Sequence, residues 1–385
     1  MLFKKGTFFI LVSIAIIPVI VFFSISEAKA KRKDDLYRQV ELFSDALAII
    51  QAEYVNEPDS NKLIYGSLKG MLASLDPYSQ FMDPDTFNEL KVDTEGKFGG
   101  LGLEISIKDG FPSVVTPIED TPAWRAGIKP GDRIIKINNE LTRDMSLTDA
   151  VKKMRGKPGQ TVNLTILRDP EKKLLEFKLV RAIIKIKGVK EVKLLPDNIG
   201  YIRLVEFRDN AMPEMNAAID KLSKSGMKAL IIDLRNNPGG SLDAAVKVTE
   251  RFIEKGKMIV YIRGRVSTQN MEFYSASKQP VLNLPLVILI NEGSASGSEI
   301  VAGTMQYYKR AVIIGKKSYG KGFVQSVIPL KDGSALRLTT SAYFIPSGKT
   351  INGIGIEPDI TVEEGDIQLS DNQLLRAIDS LKNKK

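Results

Sequence analysis

The chain has 385 residues, 43% hydrophobic and 26% charged, with a formal net charge of +9; this length supports sizeable cores and two or three domains. It contains no histidine and no cysteine, which excludes a Ser-His-Asp triad, most zinc and haem sites, thiol nucleophiles and disulfides. Its basic residues are scattered among acids, as in KKLLEFKLVRAIIKIKGVKEVK, with no basic run interleaved with aromatics, so nucleic acid is not an expected partner.

Lys4 and Lys5 precede an uncharged apolar run from Gly6 to Ser26, and Ala28 and Ala30 follow in an A-x-A-like arrangement. This is the pattern of an export signal, and the run is also long enough to cross a bilayer. Residues 1–30 are therefore read as a signal peptide or a membrane anchor, with membrane contact confined to that segment. In residues 31–95, LFSDALAIIQAEYV and NKLIYGSLKGMLASL repeat apolar residues at spacings of three and four, which predicts helices. NEPDS and LDPYSQFMDPDTF break the pattern between and after them.

Around Gly96 the composition turns to glycine and β-branched residues. KFGGLGLEISIKDGFPSVVTPI alternates as strands do, and TPAWRAGIKPGDRIIKINN gives a short helix, a Pro-Gly-Asp turn and a strand. Ser146 opens an amphipathic helix with Asp149 in the capping-box third position, and QTVNLTILRD adds a strand. Residues 96–180 thus form a compact β-rich module. It resembles a PDZ domain of bacterial secreted proteases through GGLGL (Gly99, Gly100, Leu101, Gly102 and Leu103) and AGIKPGDRIIKINN. The resemblance implies that the N–H groups of the glycine loop bind the carboxylate of a peptide's C-terminus while the peptide adds to the sheet edge.

In residues 181–360 strands and helices alternate: MKALIIDLR, SLDAAVKVTERFIEKG, PLVILINEG, SEIVAGTMQYY and AVIIG. This predicts an α/β core with parallel strands. NNPGG and GSASG both fall at carboxyl ends of strands, where such cores bind ligands. In NEGSASGSEI, Ser296 occupies a tight strand-to-helix turn, from which a hydroxyl can point outward and the helix amino end can supply oxyanion donors. SGSE is also a capping box with Glu299 at its third position, so this stretch taken alone favours a purely structural role for these serines.

Without histidine the proton acceptor has to be another group. A lysine near its reference pKa is only about 0.04% neutral at pH 7, and lowering that pKa by roughly 3 units needs an apolar setting. Lys321 lies between two glycines and between two apolar strands, whereas Lys316 and Lys317 form a charged pair expected to stay solvated. Asp233 and Arg235 are expected to form an ion pair that orders the NNPGG loop.

DLRNNPGGSL, NEGSASGSEI and GKKSYGKGFVQ resemble the signature blocks of the carboxyl-terminal processing peptidases, also called tail-specific proteases; GIGIEPDI, Gly353 to Ile360, resembles a further family motif. The resemblance implies Ser296 as nucleophile, Lys321 as general base and Gln325 as the residue orienting it. The oxyanion hole would use the N–H of Gly297 and that of Gly240, with Gly239 as the neighbouring option. Gly297 departs from the family pattern, where alanine is frequent. The implied fold is α/β, a crotonase/Clp-protease-like catalytic core with an inserted PDZ domain and an N-terminal helical region, followed by a polar tail over residues 361–385. The implied function is a serine endopeptidase of a bacterial periplasm or cell envelope that needs no metal or cofactor. It would act on exported proteins with exposed, apolar C-termini. A homodimer or higher oligomer and an activating adaptor are also implied, although the helical region's apolar face fits packing on the core as well.

Overall fold

The computed structural model describes residues 35–118, 120–143, 145–169, 172–276, 282–363 and 371–382. The signal or anchor segment read in residues 1–30 lies outside them. Among the described residues no helix is long and apolar enough to cross a membrane. The chain divides into two units, Met1–Phe81 and Met82–Lys385. In the first, residues 35–53 are helical, and Asp59 caps a second helix, Ser60–Ala73, by accepting from the N–H groups of Asn61 and Lys62.

The second unit opens with the helix Pro84–Glu95, started by an Asp83 cap and a proline and stopped by Gly96 at φ 65°. The strands Lys97–Gly100 and Ala182–Lys185 then pair antiparallel, forming a stem through which the chain enters and leaves the β-rich module. Inside the module the strands Leu103–Lys108, Phe111–Pro117, Arg133–Ile137, Thr161–Arg168 and Lys173–Val180 lie in that order in one antiparallel sheet. The helix Leu147–Met154 is capped by Ser146 Oγ accepting from Asp149 N–H at 3.1 Å. Its Ala150 and Met154 pack with Leu101, Ile134, Val162 and Ile166 in a separate apolar core, so the module has the burial to hold its own shape.

The larger sheet outside the module runs Val189–Leu195, Ile199–Leu204, Ala229–Asp233, Leu286–Ile290, Val312–Gly315, Ile360–Thr361. Its first pair is antiparallel and the rest parallel. The continuous apolar runs of the central strands follow from burial on both faces. Alternate residues divide between two cores: Ile202, Leu230, Ile232, Ile288 and Ile290 face the helices Ala211–Lys224, Leu242–Glu250 and Gly297–Tyr307. Tyr201, Ile231, Val287, Leu289 and Ile314 face the opposite way. A second, antiparallel sheet pairs Ala335–Phe344 with both Phe323–Pro329 and Met258–Gly264.

The C-terminus corrects the reading of residues 361–385 as a polar tail. Among its described residues, Asn372–Lys382 is a helix whose Gln373, Ala377 and Leu381 are buried, packing on the sheet face that carries Tyr201, Ile231, Val287, Leu289 and Ile314. Leu374, Ala377, Ile378 and Leu381 carry the helical spacing that defines an amphipathic face. Just before the helix, Asp371 reaches Arg235 at 2.7 Å, and Arg235 pairs with Asp233 at 2.6 Å, so the expected ion pair forms and also ties the C-terminus to the core. Leu381→Ala should lower the stability of the core by roughly 2–3 kcal/mol in urea unfolding; an unchanged midpoint would show that the helix does not unfold with the sheet.

Candidate active site

The chain leaves the buried strand Leu286–Ile290, turns through Asn291–Ala295 and enters the helix Gly297–Tyr307. The turn is held by polar groups facing the NNPGG loop. Ser294 Oγ donates to the Leu234 carbonyl at 2.8 Å, Ser298 Oγ donates to the Asn237 carbonyl at 2.9 Å, and Asn291 Oδ1 accepts Asn236 N–H at 2.8 Å. Ser294 and Ser298 are fully buried, with 0% exposure each. Their hydroxyls are thereby spent on architecture. Ser296 alone of the three lines a cavity, held at φ 53° and ψ −110°, a backbone conformation that costs energy for a non-glycine residue and is found at functional turns.

The cavity has a volume of about 450 Å³ and brings Ser296, Lys321, Gln325, Gly239 and Gly240 together with Phe207, Arg337 and Tyr343. Gly297 begins the helix behind Ser296. The glycines are there because the backbones approach closely: a Cβ on Gly239 would lie 2.7 Å from Ser296 Cβ and 2.8 Å from Gly297 N, and one on Gly240 would lie 2.2 Å from the Phe207 carbonyl oxygen. The NPGG loop leaves one donor unspent. Gly239 N–H donates to Asn237 Oδ1 at 2.9 Å, and the Phe207 bridge uses Gly239 O and Ser241 N. The N–H groups of Gly240 and Gly297 have no acceptor among the described residues, which favours Gly240 over Gly239 as the partner of Gly297.

Glu299, one helical turn beyond Ser296, connects the two loops. The glutamate half of the expected capping box forms: Glu299 N–H donates to the Ser296 carbonyl and not to its hydroxyl, whereas Oε2 accepts Ser296 N–H at 2.7 Å. The same oxygen accepts Lys321 N–H at 3.0 Å, while Oε1 accepts Ser318 Oγ–H at 2.6 Å and Gly320 N–H at 2.7 Å. The carboxylate, 0% exposed, therefore holds the serine turn and the lysine loop on one group. Burial pushes its pKa up, and these hydrogen bonds push it back. The GIGIEPDI segment backs the same loop, with Ile356 N–H donating to Ser318 Oγ at 2.7 Å and Gly353 N–H to Gly320 O at 2.9 Å.

Lys321 is partly buried. Burial holds its ammonium below the ordinary value of 10.5, Arg337 on the same cavity pushes it the same way, and Glu299 opposes. Lys316 behaves in the opposite sense: Glu292 and Glu363, at 2.8 and 3.0 Å, raise its pKa, and Lys317 pairs with Glu357 at 2.6 Å. Gln325 Nε2 makes long contacts of 3.5 Å with the Phe323 carbonyl and Thr339 Oγ1. The buried Tyr343 hydroxyl donates to the Lys321 carbonyl and hydrogen-bonds Ser296. No cluster of acidic side chains among the described residues forms a metal site.

A second, smaller cavity of about 130 Å³ lies in the β-rich module, between Gly100, Leu101, Gly102, Leu103 and the helix residues Leu147, Val151 and Met154. The N–H groups of Leu101 and Gly102 have no acceptor among the described residues. Gly102 adopts φ +80°, and a Cβ there would meet Thr121 at 2.3 Å. Gly99 faces elsewhere: its carbonyl accepts Gly156 N–H at 3.0 Å in the stem region.

Comparison with known proteins agrees with this architecture. Residues 198–362 match the family model of peptidase family S41, residues 113–168 a PDZ domain and residues 21–86 the N-terminal domain of the activating protease CtpB. The chain is 44% identical over 336 residues, 86% of its length and 77% of the relative's, to the carboxy-terminal-processing protease of Bartonella bacilliformis. The chain belongs to peptidase family S41. It is thus a serine-type peptidase of the carboxy-terminal-processing kind with a PDZ domain. A protein named probable CtpA-like serine protease in Staphylococcus aureus (strain N315) is 34% identical over 350 residues, covering 91% of this chain and 70% of that one. An S41-protease structure from Bacteroides fragilis superposes with a TM-score of 0.52 at 17% identity, over 88% of this chain and 97% of that one, a likeness of fold.

In this S41 peptidase the serine, lysine and glycine blocks read from the sequence converge on one cavity, while the roles of Glu299, Tyr343 and Arg337 went unread. Glu299 was visible only as a helix cap; nothing local distinguishes the other two. Glu299→Gln keeps the shape but opposes two of the four donors with its own N–H groups. It should lower kcat by roughly a hundredfold, the scale of a misplaced reacting group, with the circular dichroism spectrum unchanged. Wild-type kcat would refute the clamp.

Proposed function

We propose that the chain cleaves peptide bonds by a Ser-Lys mechanism. The observation that carries this reading is the single cavity in which Ser296, whose neighbours Ser294 and Ser298 are spent on backbone carbonyls, meets a lysine whose ammonium burial disfavours. Ser296 Oγ attacks the scissile carbonyl while Lys321 Nζ takes its proton. The oxyanion sits between the N–H groups of Gly297 and Gly240. Protonated Lys321 then gives its proton to the leaving amine, and the neutral amine activates water to release the acyl group. Gln325 helps to fix the lysine side chain.

The proposed substrates are exported proteins with exposed C-terminal tails. The unspent N–H groups of Leu101 and Gly102 beside an apolar groove support a PDZ site for a terminal carboxylate and an apolar last residue. The apolar run Gly6 to Ser26 after Lys4 and Lys5 supports export to the cell envelope. In the helical unit, Leu36, Val40, Phe43 and Ile50 are exposed, and with the match to an activating protease's N-terminal domain they support association with a second copy or an adaptor.

Ser296→Ala and Lys321→Ala should each reduce cleavage of an unstructured protein with an apolar C-terminus by roughly a thousandfold or more, without loss of secondary structure. Full activity in either variant would remove that residue from the mechanism. Because Lys321 must be neutral to accept a proton, kcat/KM should rise with pH and level off above a limb lying below 10.5. A limb at or above that value would mean that the lysine is not desolvated in the free enzyme.

A further inference from the structure

We propose that Arg337 is a specificity-determining residue that takes a carboxylate of the substrate close to the scissile bond. The inference rests on reading the cavity as the peptide-cleaving site. Arg337 lies on the strand Ala335–Phe344, opposite Val327 on Phe323–Pro329, and its side chain lines the cavity that holds Ser296 and Lys321. It is partly buried and has neither a hydrogen bond nor an ion pair among the described residues.

Other partly buried arginines of the core are spent. Arg235 pairs with Asp233 and Asp371, Arg208 pairs with Glu206, and Arg310 donates to the carbonyls of Leu282 and Leu284. Burial alone lowers the pKa of Arg337; no carboxylate offsets it. A guanidinium stays charged in proteins, and a partly desolvated charge with no partner is costly to keep. Phe323, Val324 and Val327 line the same cavity as Arg337, and the one carboxylate among the lining residues is that of Glu206. An arginine in that setting is preorganised for a bidentate carboxylate ligand. Glu206 on the same wall is already matched by Arg208, so the ligand comes from outside the wall. Both a substrate's acidic side chain and its terminal carboxylate carry the required chemistry.

The test digests a peptide library with the full chain and reads cut sites by mass spectrometry. Peptides carrying glutamate or glutamine at the enriched position, each with a free or amidated C-terminus, are then compared at a pH above the lysine limb. Wild type should favour the carboxylate form by roughly tenfold, the scale of a charge-assisted hydrogen bond. In Arg337→Met that ratio should collapse toward one, and Arg337→Lys should keep part of it. Arg337→Gln serves as the neutral variant if the methionine does not fold.

Dependence on the glutamate identifies a side-chain carboxylate, and dependence on the free terminus that disappears in Arg337→Met identifies the terminal one. An amidation effect that survives in Arg337→Met belongs to the PDZ module and counts against the proposal. So does a wild type indifferent to both changes, or a variant that shifts only the pH limb with its selectivity intact. Ser296→Ala run in parallel separates the two layers: cleavage persisting there would refute the reading of the cavity rather than the role of Arg337.

Discussion

The active site depends on one buried carboxylate. Glu299 accepts from the N–H groups of Ser296, Gly320 and Lys321 and from the Ser318 hydroxyl. These donors come from two segments separated in sequence by the helix Gly297–Tyr307 and the strand Val312–Gly315. A carboxylate taken out of water without partners would be protonated or would cost several kcal/mol. With four donors it becomes a joint that fixes the Ser296 turn and the Lys321 loop relative to each other. The strained backbone at Ser296 persists because its surroundings over-determine it: Glu299 holds its N–H, and the buried Ser294 and Ser298 hold the turn on either side to the NNPGG loop.

The proposed general-base role of Lys321 calls for an ammonium that gives up its proton below the ordinary range. A carboxylate near an ammonium ordinarily raises the ammonium's pKa, as Glu292 and Glu363 do for Lys316. At Lys321 the carboxylate is spent on donors, including the lysine's own backbone N–H, and desolvation and Arg337 outweigh it. Protonated Lys321 is therefore disfavoured by the fold. Stability tied to this group is lowest when the lysine is charged and rises as pH climbs from the depressed folded value toward the unfolded one.

Much of this was legible in the sequence because the information is local. Ser296 and Gly297 stand at a strand-to-helix junction, and Lys321 stands between glycines and apolar strands. Gly239 and Gly240 stand in a loop where side chains cannot fit. What escaped was non-local. Glu299 reads as a capping box because Ser296 is three residues away, but its other donors are 19 to 22 residues off, and no periodicity encodes that meeting. Tyr343 and Arg337 lie on a long strand whose alternation says which residues share a face but not which face meets the cavity. The C-terminal helix was hidden by composition: a short apolar stripe in a charged segment looks like a solvated tail until the sheet face it packs on is known.

The most direct test of this account is a high-resolution structure of the chain with a peptide boronate that forms a tetrahedral adduct on a reactive serine. The account predicts boron bonded to Ser296 Oγ and one boronate oxygen at about 3 Å from the N–H groups of Gly240 and Gly297, with Glu299 still bridging the two loops. An adduct on another serine, an oxygen held by Gly239 instead, or a Glu299 carboxylate turned away from Ser296 and Lys321 would contradict it.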